Sequence, residues 1–155
     1  MTDNKPVRRS VRNEYSMVGK FRRDIGALDE IFDFVERFVE EHKLAEATAL
    51  STKLAVEELF TNLVRHNGMG REAIEIDLAV EGRRLVVGLR DFDVDRMDFD
   101  NLPPPGTDLP LAQRKVGGLG IHLVKSLFDT LTYEYSDRTL FITAVKNLED
   151  ARVRD

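Results

Sequence analysis

Two separated stretches carry residues whose types and spacing suit chemistry. The first is residues 54–67, Leu-Ala-Val-Glu-Glu-Leu-Phe-Thr-Asn-Leu-Val-Arg-His-Asn. Glu58 and Asn62 stand four residues apart, so on a helix they share one face, one turn above the other. Arg65 and His66 continue toward the same side. A carboxylate can take a proton, a carboxamide offers a neutral oxygen to a hard cation, and a basic group can meet a phosphate. A solvated helix face can have the same composition, so this stretch decides nothing alone. The second is residues 116–129, Val-Gly-Gly-Leu-Gly-Ile-His-Leu-Val-Lys-Ser-Leu-Phe-Asp. Gly117, Gly118 and Gly120 open directly into a helical pattern of Ile121, Val124, Leu127 and Phe128. Glycines there let backbone N–H groups approach an anion, and a helix N-terminus favours negative charge. The stretch lacks the Gly-Lys-Ser/Thr ending of a Walker A loop and the Gly-x-Gly-x-x-Gly spacing of a dinucleotide fingerprint.

The elements around these stretches must hold them. Val56, Leu59, Phe60, Leu63 and Val64 recur at three- and four-residue spacing, which predicts a helix over residues 46–67 with Gly68 as its stop. Residues 27–42 form an earlier helix with an apolar stripe of Leu28, Ile31, Phe32, Val35, Phe38 and Val39. Its acidic outer face is either a solvated surface or part of a protein-binding one. Strands are predicted over residues 13–21, 73–80, 84–91, 130–136 and 139–146, with turns at 81–83 and 136–138. Both rows of the last strand are fairly apolar, which predicts a central strand or one covered on both faces. Asp91 continues the apolar row of Leu85, Val87 and Leu89, where a carboxylate is costly without a hydrogen-bond donor. Residues 92–115 are rich in proline and aspartate, and a connection this long in a compact domain is usually functional or disordered. Arg114 and Lys115 end it just before the glycines, where a cation can meet terminal phosphates; ordinary surface charge accounts for them equally well.

The composition sets bounds. A chain of 155 residues is one domain able to bury a core. Its net charge of −5 gives no sign of nucleic-acid binding. Absence of cysteine excludes disulfides and thiolate metal sites. No apolar run is long enough for a signal peptide or a membrane span, so the cytoplasm is the expected compartment. Residues 1–12 read as a basic tail, 13–147 as the folded domain and 148–155 as a charged tail. His42 and His122 are scattered and read as neither catalytic nor metal-binding.

The ordered set Glu58-x-x-x-Asn62, Asp91 at a strand end, Phe99-Asp100-Asn101-Leu102-Pro103-Pro104-Pro105, and Gly117-Gly118-Leu119-Gly120-Ile121-His122-Leu123-Val124 resembles the GHKL ATP-binding fold. Within that fold the chain is similar to the bacterial anti-sigma-factor serine/threonine kinases, the RsbW-like family, over residues 15–146. The resemblance implies an α/β (α+β) two-layer sandwich, a mixed, mostly antiparallel sheet with helices on one face. It implies ATP and Mg²⁺ as cofactors, residues 92–115 as the ATP lid, and Asp91 as acceptor for the adenine amino group. It implies that Thr139 shares a water or hydrogen bond with Asp91. The chemistry then assigns Glu58 as general base, Asn62 as Mg²⁺ ligand, and Arg65, His66, Arg114, Lys115 and the Gly117–Ile121 segment to the nucleotide. The implied function is phosphorylation of an anti-anti-sigma (STAS-type) protein, with sequestration of a sigma factor and self-association as a homodimer; no nucleic acid or membrane is involved. A non-catalytic nucleotide-binding switch uses the same binding residues, and a detached histidine-kinase ATPase domain is the third reading. The chain departs from the family at Asp93, where Asp-x-Gly is usual, and at Asp137-Arg138, where the turn usually holds glycine. These departures predict weaker ATP binding than in relatives with the glycine.

Overall fold

The computed structural model describes residues 16–67, 70–96 and 118–148. The chain runs through β1 (Ser16–Phe21), a 3-10 turn (Ile25–Ala27), α1 (Leu28–His42), α2 (Glu46–His66), β2 (Ile74–Glu81), β3 (Arg84–Phe92), α3 (Gly118–Leu127), β4 (Thr130–Ser136) and β5 (Thr139–Asn147). The strands lie in the order β1-β2-β3-β5-β4. The expected two-layer α+β sandwich forms, with the helices packed on one face of the sheet.

Each of the four described strand pairs is antiparallel, so no parallel pair makes the sheet mixed. The connections explain this. Two helices separate β1 from β2, and an up–down helix pair returns the chain reversed. Among the described residues one helix, α3, lies between β3 and β4, and these two strands run parallel. The hairpin strand β5 inserts between them and pairs antiparallel with both. That interior position is why both rows of β5 carry apolar residues.

The core lies between sheet and helices. Ala55, Val56, Leu59, Phe60 and Leu63 of α2 are fully buried, as are Leu85 and Val87 of β3 and Leu140 and Ala144 of β5. In α1 the buried stripe takes Phe34 where the sequence pattern put Phe32, which is half-buried. The reason is Phe21 at the end of β1, whose ring meets Phe34 edge-on with centroids 5.3 Å apart. A left-handed Lys43 (φ 50°) ends α1, and the Lys43 and Leu44 N–H groups satisfy the carbonyls of Glu40 and Val39.

On the other face of the sheet, Glu75 and Asp77 of β2 are nearly buried. Arg90 of β3, directly across from Glu75, bridges to Glu75 at 2.8 Å and to Asp77 at 3.5 Å. The β2–β3 turn uses Gly82 at φ 65°, a conformation that costs glycine nothing. The β4–β5 turn places Asp137 (φ 53°) and Arg138 (φ 61°) at positive φ without a glycine. Two such residues in succession give the hairpin turn whose twist matches its strands.

Candidate functional site

Glu58 and Asn62 emerge from the middle of α2 because Leu59, Phe60 and Leu63 turn the rest of that helix into the core. The Asn62 carboxamide is buried, and its Nδ2 donates to Glu58 Oε2 at 3.3 Å. With the amide nitrogen so placed, Oδ1 is the end left to accept. Glu58 is half-buried. Burial pushes its carboxyl above the usual glutamate range, opposed by the positive charge of Arg65 and by the Asn62 bond. Arg65 thus stands near enough to Glu58 to act on its charge, and both Arg65 and His66 are exposed at the end of α2.

The donor set fits a magnesium ion shared with a polyphosphate. Such an ion takes one or two protein oxygens and completes its shell from phosphates and water. Asn62 Oδ1 is a hard neutral oxygen of that kind. Among the described residues no three His, Asp or Glu side chains converge into a cage that would hold a metal by themselves.

The glycine-opened helix α3 begins at Gly118 and packs against α2. Gly118, Leu119 and Gly120 form its first turn, and the N–H groups of a helix's first turn can meet an anion. Ile121 is almost fully buried, so its side chain belongs to the core and only its backbone is left for a nucleotide. Arg114, Lys115 and Gly117, together with most of the expected lid and with Gly68, lie outside the described residues.

At the far end of β3, Asp91 continues the core-facing row as the sequence pattern requires, and it is fully buried. Its donors are protein groups. Arg23, from the connection after β1, donates through Nη2 to Oδ1 and through Nη1 to Oδ2 at 3.4 Å. Asn67, the residue capping α2, donates through Nδ2 to Oδ2 at 3.0 Å. The same guanidinium donates to the carbonyls of Asn67 (3.2 Å) and Glu72 (3.1 Å). Sequence reasoning missed Arg23 and Asn67. The ion pair spans 68 residues of chain, and no short motif signals it. The available signal was the carboxylate itself, which at a core position demands a cation.

Thr139 does not meet Asp91. In the β3–β5 register Asp91 faces Leu140, while Thr139 faces Phe92 and so belongs to the opposite side of the sheet. Its hydroxyl donates to the Asp137 carbonyl at 3.4 Å. The expected shared water or hydrogen bond therefore has no geometric basis in this register.

Asp93 takes φ 56°, the left-handed region in which the family's glycine is at ease. Arg138 holds it there. Its Nε donates to Asp93 Oδ1 at 2.9 Å and its Nη1 to Asp95 Oδ1 at 3.1 Å, while its carbonyl accepts from Val94 N–H at 2.9 Å. Tyr135 donates its hydroxyl to the Val94 carbonyl at 2.7 Å, and the Arg96 guanidinium lies 5.2 Å from the Tyr135 ring centre. The two departures from the family's pattern thus touch each other, and the non-glycine turn supplies the cation for the non-glycine loop.

Comparison with known proteins places this geometry. Among curated proteins none matches the chain. The structure containing the RsbU and RsbW domains of Rv1364c from Mycobacterium tuberculosis aligns with a TM-score of 0.63 at 13% identity, over 90% of this chain and 34% of that one. This chain therefore spans about a third of that protein's length. The Acinetobacter baumannii histidine kinase AdeS aligns with a TM-score of 0.52 at 15% identity, over 86% of this chain and 68% of that one. At such identities the likeness is one of fold. Residues 21–146 match the family described as histidine kinase-like ATPase domain, a span that holds Arg23, Glu58, Asn62, Asp91 and the glycine-opened helix, and the chain belongs to that family.

Proposed function

We propose that this chain is an ATP-dependent serine/threonine kinase of the anti-sigma-factor type. Its substrate is an anti-anti-sigma protein of the STAS type, and it sequesters a sigma factor when that protein is phosphorylated. The observation that carries the reading is Glu58: a half-buried carboxylate with a raised pKa, one turn from a buried carboxamide, on the helix against which the glycine-opened helix packs. A pure binder has less use for that carboxylate, which burial destabilises. The likeness to a structure that includes an RsbW domain supports the partner assignment.

The chemistry follows from the residues. The substrate hydroxyl gives its proton to Glu58 as its oxygen bonds to the γ-phosphorus, and the bond from phosphorus to the β–γ bridging oxygen breaks to release ADP. Asn62 Oδ1 would hold Mg²⁺, which when bound neutralises phosphate charge. The backbone N–H groups opening α3 orient the phosphates, and Arg65 adds positive charge beside them. Self-association places a second copy on the sheet face away from the helices or on α1.

One observation favours the alternative of a non-catalytic binding module: Asp91 is already engaged by Arg23 and Asn67. Transfer of labelled phosphate separates the readings. Glu58→Gln should keep Mg-ATP binding and lose transfer to the partner's serine or threonine. Transfer at the wild-type rate in that variant would remove Glu58 as the base and the kinase mechanism with it.

A further inference from the structure

The adenine end of the site has a feature that the kinase reading does not contain. Asp91 is fully buried, and the Arg23 side chain beside it is only 7% exposed. Both carboxylate oxygens carry donors, and the guanidinium is anchored a second time by the carbonyls of Asn67 and Glu72. Arg23 Nε is buried with no acceptor, so the group is held by its tip alone. Gly70 completes the seat: a Cβ there would lie 2.6 Å from Arg23 Cζ and 2.8 Å from Nε and Nη2. Only a residue without a side chain lets the guanidinium lie where it does.

We propose that Arg23 decides whether this site reads the base of its nucleotide. The inference rests on the nucleotide-binding reading above and extends it to base specificity. A purine 6-amino group would offer Asp91 one neutral N–H. The guanidinium offers two charge-assisted bonds in a fork that matches a carboxylate. While Arg23 is seated, the base gains nothing from Asp91, and the nucleotide is held by its phosphates. Discrimination by the 6-amino group appears only when Arg23 leaves. Arg23 is thus a positioning residue acting through Asp91, and not a ligand of the nucleotide.

The test compares Mg-ATP with Mg-ITP, in which a carbonyl replaces the 6-amino group, by titration calorimetry on the full chain. In the wild type the two dissociation constants should agree within about threefold, since no charged hydrogen bond distinguishes them. Two variants unseat Arg23 in different ways. Arg23→Met removes the donors, and Gly70→Ala pushes the guanidinium off while keeping its charge. Each should prefer ATP over ITP by about tenfold or more, the value of one hydrogen bond to a charged group. A merely structural Arg23 would change stability without changing this ratio. A wild-type preference for ATP of tenfold or more would overturn the proposal and leave nucleotide binding standing. Equal affinities in folded variants would overturn it too. If neither variant folds, the wild-type ratio decides alone. Absence of binding by both nucleotides to all three proteins would overturn the nucleotide-binding reading and the proposal with it.

Discussion

Removing Arg23 should be among the most destabilising single changes open to this chain. Arg23→Ala leaves the Asp91 carboxylate at a fully buried position with the Asn67 amide as its remaining donor. Breaking a buried ion pair from one side costs about 3–5 kcal/mol, because the surviving charge loses its partner without regaining water. The Glu72 carbonyl loses its guanidinium donor at the same time, while the Asn67 carbonyl keeps the Gly70 N–H at 2.9 Å. For a chain of 155 residues this lowers the thermal midpoint by about 10 °C. Urea unfolding followed by circular dichroism reads the free energy directly, and the slope should stay unchanged if the effect is on the folded state. The double variant Arg23→Met with Asp91→Leu tests the cause. Replacing both charges by apolar groups of similar size is often neutral or stabilising, so the double variant should recover most of the loss. A loss below about 1 kcal/mol in Arg23→Ala would refute the reasoning, since that is the range of an exposed pair. So would a double variant less stable than the single one.

Further predictions concern Glu58, Asn62 and Asp93. Glu58→Gln keeps an oxygen for the Asn62 amide and should lower phosphoryl transfer by about 10²–10⁴-fold, the usual contribution of a general base. Because burial raises the Glu58 pKa in the folded state, its stability contribution is present below the ordinary glutamate range and is lost as pH rises through the raised value; thermal midpoints of Glu58→Gln should therefore exceed wild type at pH 7 and match it in acid. Asn62→Ala should abolish the difference between nucleotide affinities measured with Mg²⁺ and with EDTA, and an unchanged difference would assign the metal elsewhere. Asp93→Gly should tighten Mg-ATP by less than about tenfold, because Arg138 already pairs with Asp93 and would remain on Asp95, and the gain should shrink with added salt as exposed charges are screened.

Much of the architecture is legible in periodicity. The apolar stripes of α1 and α2 and the alternation in β3 and β4 each turn one side of an element to the core, and side-chain period fixes which side; β2 alternates in sequence and reads as half-buried, yet its Glu75 and Asp77 side is buried as well. The α2 pair Glu58 and Asn62 is legible for the same reason, since four residues make one helical turn. What periodicity cannot supply is register between distant strands. Thr139 and Leu140 are neighbours in sequence, yet a one-residue choice puts one beside Asp91 and the other on the opposite face. Nor does spacing reveal Arg23, which reaches Asp91 across the sheet end. The positive φ of Asp93 is a middle case. The family's glycine at that position points to a left-handed backbone, but the cation that steadies an aspartate there comes from the β4–β5 turn 45 residues later.

The two ends of the site differ in readiness, and the difference has a physical origin. Glu58 is half-buried and destabilised in its charged form, so it gains by taking a proton or by facing a bound cation. Asp91 is fully buried and already satisfied by Arg23 and Asn67, so a ligand there must first break bonds stronger than those it offers. If only the opened state binds the base, the apparent affinity falls by the fraction of molecules in which Arg23 has left its seat. In the kinase proposed above, the chemistry at Glu58 needs no such opening, because phosphates held at the first turn of α3 and the exposed end of α2 would not touch Asp91. On that proposal, nucleotide would be captured and turned over from its phosphate end with its base unread. Arg23 donates to the carbonyl of Asn67, the cap of α2, the helix that carries Glu58. On the same proposal, a change that lifted Arg23 would take a donor from that cap as it freed Asp91, and would link base recognition to the helix carrying Glu58.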